Sequence, residues 1–301
     1  MAATTSLAPA RAQGSVHSAG AVWQRILGRG GLHVLAIALG IVLMVPFAWA
    51  IDGSLKPEPE IRLLPPKILP SQWMFSNYPE TWHTTLFSQW AQNTVLVSVL
   101  ATLGAVLSAA AAGYAFARFR FPGRNTMFAI TLVTLMLPQE VTLIPSYLLF
   151  FKLGWLNTYL PLIIPSWFGG GAFLIFLFRQ FFMSIPNDLD DAAKIDGAGY
   201  FQILGWIILP LSRPVLATAG ILTLIGNWNS FLFPLIILND AAKFTLSIGL
   251  RYFAVSPSAD SKPMDHLLMA GSIMMTIPII VIFFFGQRYF VRGVVMSGVK
   301  G

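Results

Sequence analysis

The stretch PNDLDDAAKIDGAGYFQILGWIILPLSRP, Pro186–Pro214, is the longest interruption between two membrane-grade apolar runs that also carries a dense polar pattern. It holds a third of all the acidic residues in the chain. The long apolar runs on either side of it are typical of segments that lie in a bilayer. This arrangement predicts an α-helical membrane protein whose polar loop, residues 186–214, meets a soluble partner.

The loop itself predicts a helix, a glycine corner and a second helix. Pro186 suits the start of a helix, where its missing N–H costs nothing. Asp188, Asp190 and Asp191 place negative charge at the positive end of the helix dipole. Gly197 falls where the helix stops, in the left-handed conformation that glycine adopts easily. One face of the first helix has a small, flat apolar part suited to protein contact: Leu189, Ala192, Ala193 and Asp196.

The loop carries acidic, small and aromatic residues in a fixed order. These are Asp191, Ala192, Ala193, Asp196, Gly197, Ala198, Phe201, Leu209 and Pro210. Their order and spacing resemble the EAA loop of permease subunits in ABC importers, where the pattern is Glu-Ala-Ala, two residues, Asp-Gly-Ala, an aromatic residue and Leu-Pro. Asp191 stands for the first Glu, which keeps the charge and shortens the reach. The resemblance implies a cytoplasmic loop that docks into a groove on an ATPase subunit.

Shorter motifs extend the resemblance over residues 30–301. Ser54-Leu55-Lys56-Pro57, Asn77-Tyr78, Asn93-Thr94 and Trp228-Asn229-Ser230-Phe231-Leu232 resemble the carbohydrate-uptake branch of these permeases. The C-terminal residues Ser297, Gly298, Val299, Lys300 and Gly301 resemble the tail of the maltose-type subunit, which reaches into the ATPase pair. The resemblance implies a sister permease subunit, an ATPase subunit pair that binds ATP and Mg²⁺, an extracytoplasmic solute-binding protein and a sugar substrate.

Composition places the chain among polytopic membrane proteins. Of its 301 residues, 10% are charged and 56% are hydrophobic, whereas a soluble protein carries about 25% charged residues. The chain has no cysteine, which excludes disulfides, thiolate nucleophiles and cysteine-based metal sites. Its four histidines are scattered without the spacing of metal ligands. We therefore expect no cofactor in this chain.

Six apolar runs predict six membrane-spanning helices. They are Leu32–Ile51, Asn93–Phe116, Thr126–Phe150, Leu160–Met183, Val215–Leu238 and Leu267–Phe290. Residues 1–24 are expected to be a disordered tail, and residues 25–301 one all-α transmembrane domain. Ala48-Trp49-Ala50 resembles a signal-peptidase site, but the length of the first run favours an uncleaved span. Residues 52–92 are rich in proline and aromatic residues, including Trp73, Tyr78, Trp82 and Trp90, and are expected to lie on the membrane interface.

The distribution of charge predicts that both termini lie in the bacterial cytoplasm. With six spans, the side that holds the N-terminus carries twelve of the nineteen Lys and Arg residues. That side has a net charge of +8, whereas the other side is neutral. Positive charge accumulates on the cytoplasmic side of membrane proteins. The basic character of the chain therefore follows from its topology and requires no nucleic-acid partner.

The acidic residues of the loop allow two other interpretations. Residues 187–191 also fit an Asn-Asp-x-x-Asp pattern, which resembles the magnesium- and diphosphate-binding motif of membrane prenyltransferases. Such enzymes need a second carboxylate cluster, and the sequence contains none. In the simplest alternative, the acids serve only as charges at the helix N-terminus. The chain also lacks the Gly-Lys-Ser or Gly-Lys-Thr of a Walker A sequence, so a partner must hydrolyse ATP.

The few polar residues at mid-membrane depth are candidates for a solute path: Gln139, Glu140, Asn227, Trp228 and Asn229. A charge such as Glu140 should face protein or water there. Amides beside an indole suit a sugar, which offers hydroxyls and apolar C–H groups, but they equally suit hydrogen bonds between helices. Asn227 and Asn229 point about 200° apart on a helix, and Asn229 is expected to face the path. The alternative is a proton-coupled secondary transporter with a proton relay through Glu140, which would need further intramembrane acids or histidines, and the sequence offers none.

Overall fold

The computed structural model describes residues 19–255 and 264–295, in which every regular element is helical. In chain order the helices are α1 (Ala19–Ser54), α2 (Glu58–Ile61), α3 (Asn77–Thr84), α4 (Phe87–Arg118), α5 (Arg124–Val133), α6 (Gln139–Lys152), α7 (Leu160–Ile163), α8 (Ala172–Met183), α9 (Asp188–Ile195), α10 (Tyr200–Gln202), α11 (Leu209–Leu211), α12 (Arg213–Trp228), α13 (Leu232–Ile237), α14 (Leu246–Val255) and α15 (Asp265–Val295). A π-helical segment, Ile203–Ile208, joins α10 to α11.

Four helical segments of the described residues are long and apolar enough to cross a membrane. They are Gly30–Ser54, Phe87–Arg118, Leu160–Met183 and Asp265–Gln287. Two pairs of helices meet the same criterion together, each with a sharp bend: Arg124–Met136 with Glu140–Lys152 at 101°, and Tyr200–Leu211 with Arg213–Trp228 at 84°. The described chain thus has up to six membrane-crossing elements, as expected for the predicted all-α polytopic fold.

The chain divides into two compact units, residues 1–50 and residues 51–301. The first unit contains most of α1, whose apolar side chains between Leu32 and Phe47 are exposed. A helix that is apolar all round is typical of a membrane span. The helix begins at Ala19, so residues 19–24 are helical where the sequence predicted a disordered tail. Residues 1–18 lie outside the part of the chain that the structure describes.

The core of the second unit is built around α4. Its small residues Ala109, Ala110 and Gly113 are buried. A Cβ atom on Gly113 would lie only 2.7 Å from the Cβ of Phe178 on α8. Small side chains let helix backbones approach closely, and these residues allow α4 to pack tightly against α8. Helix α4 packs against α12 as well as α8.

The region predicted to lie on the membrane interface, residues 52–92, is in part folded against the core. Helix α4 begins at Phe87, earlier than the predicted Asn93. Trp90 is buried, and its Nε1 donates a hydrogen bond to the carbonyl oxygen of Ala241 at 2.8 Å. Because the indole has both an apolar setting and an acceptor, Trp90 is a core residue and not the interfacial one that its position in the sequence indicated.

The motifs around Ser54 and Asn77 hold this segment to the end of α1. The buried Asn77 donates from Nδ2 to the carbonyl oxygens of Ser54 at 2.9 Å and Lys56 at 3.0 Å. The hydroxyls of Ser54 and Tyr78 lie 2.8 Å apart. A helix end leaves carbonyl groups without partners, and Asn77 satisfies that of Ser54, the last residue of α1.

Two of the predicted spans are broken. The third was expected to be one run, but α5 and α6 are separated around Pro138, which has an extended backbone. Proline lacks a backbone N–H and disfavours helix in the residue before it. The fifth was expected to continue to Leu238, but α12 ends at Trp228 and the chain restarts as α13 at Leu232. Unwound backbone within a membrane is tolerated where it lines a cavity or is buried in protein.

Candidate functional site

The first helix predicted in the polar loop is α9, and most of its predicted contact face is exposed. Leu189 is 41% exposed, and Ala192 and Asp196 are exposed too. Ile195, which was not predicted to belong to this face, is 86% exposed. Ala193 differs, because it is buried in the core of its own chain. The open surface of α9 therefore includes apolar and small side chains that no described residue covers.

The charge of Asp191 lies on this same exposed surface. Its carboxylate accepts a hydrogen bond from Nζ of Lys194 at 3.0 Å, one turn further along α9. This bond raises the pKa of Lys194. Exposed ion pairs contribute little to stability, so the pair is available to exchange its partner for a charge on another protein.

Gly197 forms the corner that follows α9. Its φ of 84° lies in the left-handed region, as the sequence predicted. The N–H of Gly197 donates to the carbonyl oxygen of Lys194 at 3.0 Å, and the N–H of Ala198 donates to that of Ala193 at 2.9 Å. These two bonds constitute a Schellman motif, which satisfies the carbonyl groups at the helix end. The corner thus fixes the direction in which the chain leaves α9.

Asp190 faces the opposite way from Asp191 and is buried. Its Oδ2 lies 2.8 Å from Nε of Arg118, the last residue of α4, and the two side chains are 6% and 7% exposed. Nη2 of Arg118 donates to the carbonyl oxygen of Ile185 at 2.9 Å, and Nη1 donates to Oδ1 of Asn187. The sequence does not indicate this pair, because the helix dipole accounts for Asp190 and the charge bias of a membrane protein accounts for Arg118.

Burial and pairing act on Asp190 in opposite directions. Removal from water raises the pKa of its carboxyl group, and the positive charge of Arg118 lowers it. Burial is the larger of the two effects, so the pKa lies above its ordinary value. A buried carboxylate is retained in the charged form only while a cation remains beside it. The pair is therefore sensitive to the loss of either partner.

A cavity of about 750 Å³ lies between the end of α4 and α9. Its walls include Tyr114, Arg118, Asp190, Lys194 and Tyr200. The Tyr114 ring is buried. The cavity has polar walls on the side of α9 and is continuous with the exposed surface of that helix.

Asn227 and Trp228 make contacts within the chain. Nδ2 of Asn227 donates to Oγ1 of Thr102 on α4 at 3.2 Å. The Trp228 ring is 6% exposed, and its Nε1 donates to the carbonyl oxygen of Met275 on α15 at 3.2 Å. Trp228 thus packs in the core at the end of α12, and its ring face is not open to a solute in this structure.

Asn229 and Glu140 lie at the two helix breaks and are exposed. Asn229 caps the end of α12, where its Nδ2 donates to the carbonyl oxygen of Ile225 at 2.9 Å. Glu140 is in the first turn of α6, directly after the break at Pro138. Gln139 begins that helix. Of the predicted path residues, Asn227 and Trp228 therefore join helices or pack in the core. Asn229 and Glu140 are exposed.

A third break, in the fourth span, was not assigned a function from the sequence. Gly169, Gly170 and Gly171 all have positive φ. A Cβ atom on Gly170 would lie 2.1 Å from the carbonyl oxygen of Ala105 on α4, so only glycine fits there. Directly before this turn, Phe168 is 83% exposed. The three consecutive glycines indicate this break in the sequence, because glycine adopts positive φ at little cost, but they do not indicate its function.

The C-terminal residues predicted to contact the ATPases, Ser297 to Gly301, lie outside the described residues. Helix α15 continues to Val295, beyond the predicted end of the sixth span at Phe290.

A match to a known protein family shows which family this chain belongs to. The profile described as "Binding-protein-dependent transport system inner membrane component" matches residues 104–296, which include α9, the Gly197 corner and all three breaks. The chain belongs to this family. A member of this transport family is an inner-membrane component and not an enzyme, and the family suggested by the loop motif is confirmed.

Relatives match most of the length of this chain. The arabinooligosaccharides transport system permease protein AraQ of Halalkalibacterium halodurans is 39% identical over 72% of this chain and 75% of its own. The probable ABC transporter permease protein YurM of Bacillus subtilis is 34% identical, over 91% and 90%. The sn-glycerol-3-phosphate transport system permease protein UgpE of Yersinia pestis is 32% identical, over 88% and 95%. The family is thus one of ABC transport permeases.

Solved structures share the fold of this inner-membrane component. A chain of a bacterial ABC transporter involved in the import of the acidic polysaccharide alginate is 26% identical, with a TM-score of 0.77 over 92% of this chain and 100% of that one. A second chain comes from a bacterial alginate ABC transporter in complex with an alginate pentasaccharide-bound periplasmic protein. It is 15% identical with a TM-score of 0.62, over 88% and 95%, and shows the fold alone.

Proposed function

We propose that this chain is one of two permease subunits of an ATP-driven importer that carries a sugar or sugar-like solute. The observation that carries the proposal is α9, an exposed helix held at its base by Asp190 and ended by the fixed corner at Gly197. Such a helix offers a rigid surface to a soluble partner. The relatives named for arabinooligosaccharides and the alginate transporter support a carbohydrate as the solute.

The partners follow from what the chain lacks. It has no phosphate-binding loop in its sequence, and within the described residues no group of three or more His, Asp or Glu side chains is placed to hold a metal. Two ATPase subunits therefore supply ATP, Mg²⁺ and hydrolysis. A sister permease completes the pore within the lipid bilayer, and an extracytoplasmic solute-binding protein delivers the sugar.

Coupling takes place at α9 and its corner. The exposed side chains of Leu189, Ala192 and Asp196 enter a groove of the ATPase, and Asp191 exchanges Lys194 for a basic group of that groove. Closure of the ATPase pair upon ATP binding displaces α9. The corner at Gly197 and Ala198 keeps the angle of the helix fixed, so that the displacement reaches the membrane helices.

The solute path runs past the exposed polar groups at the helix breaks. Asn229 and Glu140 offer hydrogen-bonding groups to sugar hydroxyls, and Gln139 lies beside Glu140. Asn227 and Trp228 contribute indirectly, since their contacts with Thr102 and Met275 hold the end of α12 in place. Transporter binding sites are commonly formed by such discontinuous helices.

Both termini and the loop of residues 186–214 face the cytoplasm in this proposal, and residues 52–92 face the exterior. The bias of Lys and Arg toward one side supports this orientation. Reporter fusions after Arg124, within the loop and after Gly301 should report the cytoplasm, and a fusion near Pro66 should report the exterior. An exterior location for the loop would end the proposal, because α9 could not then reach an ATPase.

The docking role of α9 can be tested by charge reversal in the intact complex. Asp191→Lys should lower the ATPase activity that the loaded binding protein stimulates, because it repels the basic groove at the start of α9. Asp188→Lys is the matched control, since Asp188 is also an exposed acid in the first turn of α9. Equal stimulated activity in Asp191→Lys and the unmodified complex would contradict the docking role of this residue.

A further inference from the structure

One guanidinium group joins α4 to three points of the loop that leads into α9. Arg118 is the last residue of α4. Its Nε lies 2.8 Å from Asp190, its Nη2 donates to the carbonyl oxygen of Ile185 at 2.9 Å, and its Nη1 donates to Asn187. A planar guanidinium fixes the orientation of its partners because its donors are rigidly arranged. The base of α9 is therefore held against the end of α4 by two hydrogen bonds and one buried ion pair.

Burial strengthens the electrostatic attraction between Arg118 and Asp190. The side chains of Arg118 and Asp190 are almost fully removed from water, so their attraction is screened far less than that of the exposed Asp191–Lys194 pair. Separating the two partners would leave two buried charges unpaired, which is strongly unfavourable. The pair therefore resists any movement of α9 that α4 does not share.

Helix α4 contacts two other elements that carry a helix break, the fourth span and the end of α12. Near its middle, Ala105 lies against Gly170 of the broken fourth span. One turn earlier, Thr102 accepts the hydrogen bond from Asn227 near the end of α12. A rigid helix held at Arg118 transmits displacement along its axis to both of these breaks.

We infer that Arg118 is a positioning residue for transport, which makes α4 move together with α9 and passes the movement of the docked helix to the breaks at Gly170 and Asn227. The inference rests on the proposed docking of α9 to an ATPase. Coupling through Arg118 acts in addition to the covalent connection of α9 to the residues that precede and follow it in the chain. In this mechanism Arg118 does not contact ATP or the solute.

The first test separates coupling from folding by removing both charges. Arg118→Gln alone leaves the Asp190 carboxylate buried without a cation and should reduce the amount of assembled complex. The double variant Arg118→Gln/Asp190→Asn removes both charges and should restore assembly, because loss of both partners is milder than loss of one. Arg120→Gln is the matched control, since Arg120 is an exposed cation two residues beyond Arg118.

The decisive readout is the solute transported per ATP hydrolysed by the assembled complex. In the double variant it should fall by roughly two- to thirty-fold, the range that corresponds to loss of a typical coupling contact. ATPase subunits should still copurify, because the exposed surface of α9 is unchanged. An unchanged ratio in the double variant would overturn the inference, as would an equal fall in Arg120→Gln.

A second test follows the movement in the otherwise unmodified chain. The sequence contains no cysteine, so spin labels can be placed at Ala111→Cys on α4 and Asp188→Cys on α9, both exposed positions. The distance between the labels should be the same in the nucleotide-free and ATP-bound complexes. In the Arg118→Gln/Asp190→Asn background it should change upon ATP binding. A distance that changes equally in both backgrounds would show that Arg118 does not hold the two helices together.

Different results would contradict the proposed function and the role of Arg118. If the unmodified complex contains no ATPase, or ATP does not drive its uptake, the proposed function fails. If the unmodified complex is ATP-driven and the double variant transports as much solute per ATP, only the role of Arg118 fails.

Discussion

Asn227 and Thr102 join α12 to α4 through a hydrogen bond of 3.2 Å between Nδ2 and Oγ1. Two residues later, Asn229 is exposed and bonds only to the carbonyl oxygen of Ile225 in its own helix among the contacts described. The two asparagines, which the sequence presents as equivalent candidates for a sugar contact, therefore have different settings. One holds helices together, and the other lies open at the break.

This difference predicts opposite effects of two alanine substitutions. Asn229→Ala should weaken transport or change sugar preference without reducing the amount of assembled complex, because only a solute loses a hydrogen-bonding partner. Asn227→Ala should instead lower the thermal stability of the complex, by an amount near the ~0.6 kcal/mol measured for interhelical hydrogen bonds in membranes. Uptake kinetics with a panel of sugars and melting curves of the purified complex measure the two effects.

Thr102→Val provides the control for this pair. It removes the same hydrogen bond from the other side, so its effect should not add to that of Asn227→Ala. If Asn229→Ala leaves both affinity and preference unchanged, the sister subunit alone contacts the sugar, and the assignment of Asn229 to the path is wrong.

Gly197→Val should uncouple ATP hydrolysis from transport. A β-branched residue is disfavoured in the left-handed conformation by at least ~1–2 kcal/mol, so the Schellman corner should open and α9 should lose its angle. Nothing lies within 4 Å of the position of a Cβ on Gly197, so backbone strain alone accounts for the effect. The measurement is ATPase stimulation by the loaded binding protein.

Gly199→Val is the matched control, because Gly199 has an extended backbone with φ of −76° and ψ of 164° that any residue can adopt. It should retain stimulation. Normal stimulation in Gly197→Val would refute the role of the corner.

Gly170→Ala should destabilise the complex more than Gly171→Ala. Both glycines have positive φ, but only at Gly170 would the new methyl group meet the carbonyl oxygen of Ala105, at 2.1 Å. Forcing an extra carbon into a packed site costs roughly 1–3 kcal/mol. Melting temperatures of the two purified variants compare the effects directly. Equal melting temperatures would contradict the prediction and would mean that the backbone of α4 near Ala105 shifts at little cost to make room for the methyl group.

Deleting Ser297 to Gly301 should lower ATP-coupled transport and leave the six spans inserted. These residues lie outside the described part of the chain, and the prediction rests on their likeness to the tail of the maltose-type subunit. Transport per assembled complex, compared with that of the full-length chain, is the relevant measurement. Unchanged transport would assign the tail no role in coupling.

The local features of the site could be predicted from the sequence because their causes are local. The corner at Gly197 depends on backbone bonds between residues at most five positions apart, as in the bond from Ala198 to Ala193. The α9 helix likewise follows from charges and small residues spaced along one stretch. Proline and glycine residues in the sequence also indicate the helix breaks at Pro138 and Gly170, but they do not indicate what function these breaks have.

Contacts between distant segments could not be predicted in this way. Membrane topology already explains the positive charge of Arg118, and the helix dipole explains the negative charge of Asp190. The sequence therefore gives no indication that the two side chains form an ion pair. Trp90 has the position of an interfacial residue, and only the fold shows that Ala241 accepts its N–H. Similarly, the burial of Trp228 depends on α15, which is far along the chain.

The central claim is that ATP hydrolysed by partner subunits drives solute through this chain. It is tested most directly by copurifying the complex from its native membrane, reconstituting it in liposomes and measuring uptake of an oligosaccharide supplied with its binding protein. Uptake should require ATP on the ATPase side and should persist when a protonophore abolishes the proton gradient. Uptake that follows the proton gradient and proceeds without ATP would contradict the account and identify a secondary transporter.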